Sequence, residues 1–239
     1  MTTALARFFS GVTIALLIAL IIGSVRPGPH RAMSPTSFGL TKIAPNIWTD
    51  APEKAEQLRD LVRASRTNVA NYFGDTPPES RVILCATKTC ARDFGVRGNG
   101  LSVPRFAVLV SPGGLTLGTL THEFTHARLH RRLGPRNLVR QPFPTWFDEG
   151  LATHVAQHPL VPGAPSQQAR DRVRKVEHVW QWDDAYRSLG VGVAYTAAAT
   201  EVAEIEAILG KQAFLRFIED IEAGSDFDAA LDAVRIRQN

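Results

Sequence analysis

The sequence contains little cysteine, little net charge and only one long hydrophobic run. Two cysteines in 239 residues cannot form a dense disulfide framework, and a chain of this length buries a sufficient core without one. A net charge of +4 is too small and too spread to indicate a nucleic-acid-binding protein. No repeat or low-complexity tract occurs, and a hydrophobic fraction of 44% excludes a fibrous or wholly disordered chain. The length fits one domain or two small ones.

The hydrophobic run covers residues 8–25, which include no charged side chain. As a helix, these 18 residues would span about 27 Å, which is enough to cross a bilayer. A retained signal anchor and a cleaved signal peptide both fit, because Arg7 supplies the basic start that either requires. The anchor is favoured, since no A-x-A cleavage site follows the run.

The two cysteines, Cys85 and Cys90, lie in the segment CATKTC. They can close a small disulfide loop if the chain turns there, and two reduced core residues are the alternative. A zinc site at this place is disfavoured, because no further Cys or His pair lies nearby. The run and the cysteine pair together predict a single-pass protein of the cell inner membrane with a periplasmic or extracellular domain. Secretion after signal cleavage is the alternative.

Beyond the hydrophobic run, predicted strands come first and predicted helices follow. Residues 26–37 hold three prolines and one glycine and are interpreted as a linker to a domain at 38–239. One or two short strands, interrupted by Pro45, are predicted at 38–49, and two further strands at 81–86 and 105–111 with a Gly-rich connection between them. Three helices are predicted before residue 158, at 52–73, 115–133 and 144–157. This order predicts an α+β fold: a small N-terminal sheet, then a helix pair, then a helical C-terminal part.

The first chemical motif is H-E-x-x-H, which begins at His122. In a helix, His122 and His126 are one turn apart on the same face, so both imidazoles can bind one metal ion. The carboxylate of Glu123 can reach a water on that metal and act as a general base. Two histidines that merely pack or meet solvent are the alternative, although the motif is expected only about 0.01 times by chance in such a chain.

A catalytic zinc ion usually has a third protein ligand. The third histidine of a metzincin would fall at Arg132, with Leu129 in place of the glycine, so that class is excluded. An acidic residue on the next helix is the other solution, and Glu149 follows His126 by 23 residues. The neighbouring Asp148 can either orient a histidine ligand or be solvated.

With these two motifs the sequence resembles the gluzincins, the metallopeptidases that include thermolysin and aminopeptidase N. The W-x-x-E-G-x-A pattern at Trp146 is most similar to the aminopeptidase N branch, and more so to compact peptidase MA-like domains. The resemblance covers residues 38–234. It implies a zincin-like fold and a Zn²⁺ ion bound by His122, His126 and Glu149.

The resemblance also implies hydrolysis of a peptide bond. Zinc would polarise the scissile carbonyl and acidify its water, while Glu123 takes the proton of that water and passes it to the leaving amine. In aminopeptidase N-like enzymes a tyrosine on a later helix stabilises the oxyanion, and Tyr195 is the match here. A core or surface tyrosine is the alternative, and Tyr186 and His154 are weaker candidates.

The chain departs from the aminopeptidases because no G-x-M-E-N segment precedes the H-E-x-x-H motif. The strand expected at 105–111 occupies its place and can pair with an extended peptide by edge addition. We therefore expect a membrane-tethered endopeptidase for peptide or protein substrates, with no nucleic-acid partner. A non-catalytic zinc-containing module that binds a peptide or an assembly partner is the alternative.

A run of five arginines extends from Arg128 to Arg140. We interpret this run as a solvated face of the molecule, since charged side chains are mostly exposed. Contact with anionic lipid headgroups or with an acidic substrate is the alternative.

Overall fold

A small mixed sheet lies toward the N-terminal side of the protein. The computed structural model describes residues 27–76, 79–132, 141–157 and 163–236. Its strands are β1 (Thr41–Ala44), β2 (Ile47–Thr49), β3 (Arg81–Leu84), β4 (Gly100–Val103) and β5 (Ala107–Val110). They lie in the order β1-β2-β3-β5-β4. The three central strands are parallel, and the edge strands β1 and β4 are antiparallel to their neighbours.

Helices make up most of the described chain after the sheet. They are α1 (Ala55–Phe73), α2 (Lys88–Asp93), α3 (Leu117–Leu129), α4 (Thr145–Ala156), α5 (Gln167–Val173), α6 (Val179–Leu189), α7 (Val191–Leu209), α8 (Lys211–Glu222) and α9 (Phe227–Ile236). The predicted α+β class is therefore confirmed. The Gly-rich connection expected between β3 and β5 instead contains α2 and the edge strand β4.

The central strands are buried on both faces because alternate side chains enter two separate cores. Val82 and Leu84 of β3 belong to the larger core, which also contains Phe124 of α3. Ile83, between them, belongs to a smaller core on the opposite face, with Phe94. Burial on both faces explains why these strands are continuous apolar runs in the sequence, without polar alternation.

The smaller core also contains a disulfide bond between Cys85 and Cys90. Cys85 follows β3 directly, and Cys90 lies in the first turn of α2. The side chain of Thr87 caps this helix by accepting a hydrogen bond from the Cys90 backbone amide at 3.2 Å. The disulfide and the cap together hold α2 against the sheet.

The N-terminal part of the described chain packs onto the same small core. Residues 26–37, predicted as a linker, fold from Pro29 onward into two 3-10 turns, Pro29–Met33 and Pro35–Phe38. Ala32 is fully buried against the smaller core. The predicted membrane run at 8–25 lies outside the described residues. Within the described part, none of the helices has the length and apolar character needed to cross a membrane.

A buried ion-pair network attaches α3 to α8 and to the loop after α1. The guanidinium of Arg128 is 3% exposed and bonds the fully buried carboxylate of Glu222. It also lies 3.1 Å from Asp75, which binds Arg131 as well. The interpretation of this arginine run as a solvated face is therefore wrong for Arg128 and Arg131. Arg128 is buried and Arg131 is partly buried because the fold brings two carboxylate partners, Asp75 and Glu222, within reach.

Candidate metal centre

Helices α3 and α4 bring the three predicted ligand side chains to one point. His122 and His126 extend from one face of α3, and their Nε2 atoms are 3.0 Å apart. From α4, Glu149 places Oε2 at 3.3 Å from His122 Nε2 and 3.6 Å from His126 Nε2. Ligands at about 2.1 Å from a tetrahedral zinc ion are separated by about 3.4 Å, so the spacing fits such an ion.

The carboxylate of Glu149 provides the test of that fit. Its Oε2 is buried, and among the described residues it has no hydrogen-bond partner of normal geometry. Burial of an ionised oxygen without a donor is costly. A cation between Oε2 and the two imidazole nitrogens would satisfy all three atoms. A set of two nitrogens and one carboxylate oxygen suits zinc and related transition metals.

Charges within the cluster set its protonation. Burial alone would raise the pKa of Glu149, but the charge of the adjacent His126 and the close approach of both imidazoles lower it to about 2. Burial alone would lower the pKa of His126, whereas Asp148 and Glu149 raise it well above its ordinary value. Glu149 is therefore ionised at neutral pH, and a metal must displace a proton from His126 in order to bind.

The outer nitrogen of each histidine faces an oxygen on α4. His126 Nδ1 donates a hydrogen bond of 2.9 Å to Asp148 Oδ1. His122 Nδ1 lies 3.5 Å from Thr153 Oγ1, at the outer limit of a hydrogen bond. Because Asp148 holds the proton on Nδ1, the proton that a metal displaces from His126 is the one on Nε2, whose lone pair then faces the metal. Of the two interpretations of Asp148, the structure therefore shows the histidine-orienting one.

Glu123 packs against the edge strand β4. A Cβ atom at Gly100 would come within 2.5 Å of Glu123 Oε1, so the carboxylate occupies space that only glycine leaves open. Burial raises the pKa of Glu123, while His122 and the backbone amide of Ser102 act in the opposite direction. A carboxylate with a raised pKa can both accept a proton and release it, as a general base and acid must.

Tyr195 of α7 lies beside the histidines. Its ring centroid is 5.9 Å from that of His122, and it packs edge-on against Trp182. A Cβ at Gly150 would lie 2.5 Å from the carbonyl oxygen of Ala198, so glycine allows α7 to approach α4 closely. Burial and the charge of Glu149 raise the pKa of Tyr195 above its usual range. The phenol therefore stays protonated and can donate a hydrogen bond.

The remaining candidates occupy other positions. His154 Nε2 lies 2.8 Å from Glu206 Oε2, which also accepts a 2.6 Å hydrogen bond from the Tyr72 hydroxyl. That cluster is separate from the three candidate ligands. Tyr186 is partly buried against the larger core. His130 lies on the same face as His122 and His126 but bonds Asp148.

The strand that could receive an extended peptide differs from the expected one. β5 lies between β3 and β4 and pairs with both, so edge addition at 105–111 is ruled out. Within the described residues, β4 pairs on one side only. Nothing in the sequence marked β4 as a strand beyond Leu101 and Val103, because its glycine and serine have low strand propensity.

Comparisons with known proteins do not assign the chain to a class. No protein-family model, curated protein or solved structure matches it. Inference about function therefore depends on the geometry of the ligand cluster and its surroundings.

Proposed function

We propose that the protein is a zinc-dependent metallopeptidase with a zincin-like fold and that His122, His126 and Glu149 bind the zinc. The main support is the buried Glu149 Oε2, which converges on two imidazole nitrogens without a hydrogen-bond donor of normal geometry in the described part of the chain. Glu123, one residue after the first ligand, adds a buried acid with a raised pKa. Two histidines that merely pack in a core would not require two buried carboxylates, Glu123 and Glu149, beside them.

In this proposal Glu123 is the general base. When bound, zinc would polarise the scissile carbonyl and lower the pKa of a water. The Glu123 carboxylate, held beside Gly100, accepts the proton of the attacking water and then protonates the leaving amine. Glu123 is buried, and the low local dielectric constant there strengthens the electrostatic attraction of its carboxylate for the proton of the water and for the leaving amine.

The proposed substrate is an extended peptide segment, cleaved internally. A peptide that pairs with the outer edge of β4 would run past Glu123, because Gly100 of this strand contacts the carboxylate. Backbone pairing recognises main chain more than side chain, which suits an endopeptidase that acts on unstructured protein. Tethering through residues 8–25 stays a prediction, and the disulfide supports an oxidising compartment.

The metal requirement tests the function directly. We expect one zinc per full-length chain by atomic spectroscopy, and hydrolysis of unfolded casein that a chelator abolishes and added zinc restores. Glu149→Ala should lose the zinc and the activity because two imidazoles alone hold zinc weakly. His154→Gln, outside the ligand cluster, should keep both. Wild-type protein without zinc would contradict the proposal, and zinc without hydrolysis of diverse peptides would favour the non-catalytic module.

Tyr195→Phe should lower kcat/KM by about 10²- to 10³-fold with unchanged zinc content, because the variant loses a hydrogen-bond donor to the oxyanion. Steady-state kinetics on a fluorogenic peptide measures the change. Tyr186→Phe is the matched control and should behave like the wild type. Equal losses in the two variants would assign Tyr195 a packing role only.

A further inference from the structure

His130 lies one helical turn beyond His126 and is linked to it through Asp148. Asp148 Oδ1 accepts from His126 Nδ1 at 2.9 Å, and Asp148 Oδ2 accepts from His130 Nε2 at 2.8 Å. Each oxygen of the Asp148 carboxylate therefore accepts one hydrogen bond from a histidine. The rings of His126 and His130 also stack, with centroids 5.9 Å apart and an angle of 28° between their planes.

The second hydrogen bond determines the orientation of the carboxylate. A carboxylate held at one oxygen can still rotate about its terminal torsion, which is broad for aspartate. A donor at the other oxygen removes that freedom and keeps Oδ1 directed at His126. The position of His130 is itself well defined, because its backbone amide caps the end of α3 and its ring is only 18% exposed.

We propose that His130 is a positioning residue for the metal centre: it holds Asp148, and Asp148 holds His126 in the orientation and tautomer that a metal ion needs. This inference depends on the proposed metal site at His122, His126 and Glu149. His130 does not touch the metal in this arrangement, since its Nε2 is used by Asp148. Outer partners of this kind affect metal affinity because they fix the ring and raise its basicity.

A second metal ion at His126, His130 and Asp148 is the competing explanation, since these three side chains also lie close enough to share one. The distances favour hydrogen bonds, because both contacts from Asp148 are at 2.8–2.9 Å rather than at metal-bridged separations. Two metals would also require His126 to use both ring nitrogens as ligands. Metal stoichiometry separates the two explanations.

The test compares two variants of His130 in the full chain. His130→Phe keeps the stacked ring but removes the donor, whereas His130→Gln can place an amide N–H near the position of Nε2. We expect zinc affinity, measured by competition with a chromophoric chelator, to fall about 10- to 100-fold in His130→Phe and to recover largely in His130→Gln. The visible spectrum of the cobalt-substituted protein should shift in His130→Phe and resemble wild type in His130→Gln.

A double-mutant cycle with Asp148→Asn shows whether His130 acts through the carboxylate. In that background His130→Phe should have little further effect on zinc affinity. Unchanged affinity in His130→Phe, while wild type binds one zinc, would overturn the positioning role and leave the proposed function intact. Two zinc ions per wild-type chain, with one lost in His130→Phe, would establish the second site instead. Wild-type protein that binds no zinc would overturn both proposals.

Discussion

Glu123→Gln is expected to reduce peptide hydrolysis by about 10²- to 10⁴-fold while the protein keeps close to one zinc per chain. Glutamine fills the same space beside Gly100, so the fold and the proposed ligands His122 and His126 should be unaffected. It cannot accept a proton from water, and the loss should therefore appear in kcat. Hydrolysis of unfolded casein and atomic spectroscopy on the same sample measure both quantities.

Glu206→Gln is the matched control for this variant. Glu206 is a partly buried glutamate that accepts hydrogen bonds from Tyr72 and pairs with His154, away from the ligand cluster. It should keep full activity and full zinc content. Comparison of protein N-termini in cells with wild type and with Glu123→Gln would then identify cleavage sites. Undiminished hydrolysis by Glu123→Gln would rule out the proposed mechanism.

Arg128→Met is expected to destabilise the protein by about 3–5 kcal/mol. The substitution leaves the fully buried carboxylate of Glu222 without the guanidinium that neutralises it. It also removes the cation that lies 4.6 Å from the ring centroid of Phe73. Urea denaturation followed by circular dichroism gives the change in the free energy of unfolding.

The double variant Arg128→Met/Glu222→Leu separates the loss of the Arg128–Glu222 ion pair from the loss of packing. Because apolar residues can replace a buried ion pair at little cost, the double variant should recover most of the stability. Arg131→Met should cost much less than Arg128→Met, since Arg131 is more exposed and Asp75 keeps Arg128 as a partner. A double variant as unstable as Arg128→Met would show that packing, and not charge, dominates here.

Local periodicity explains which parts of the site could be predicted. The spacing of His122 and His126 places them on one face of any helix they form, whatever the rest of the fold does. Glu149 could be predicted because Pro144 marks the start of the next helix, and that helix offers an acidic residue 23 positions after His126. The α+β order of elements also follows from local patterns.

The edge strand could not be predicted in that way. Gly100 has a low strand propensity, and its role depends on Glu123, a residue that approaches it only after the sheet and α3 have packed. Arg128 illustrates the same limit, since a charged residue is assigned to the surface unless the chain supplies buried partners. Its partners, Asp75 and Glu222, are 53 and 94 residues away in sequence.

The sequence by itself determined the helices that carry the three candidate ligands and the general-base candidate beside them. It also placed the two cysteines close enough along the chain to form a small disulfide loop. Only the tertiary structure decided that Asp148 serves His126 and His130 together, that Tyr195 lies beside His122, and that β4 is the edge next to the site. The physical reason is the range of the interactions. Helical periodicity acts over a few residues, whereas these contacts form between elements that meet only when the two cores pack.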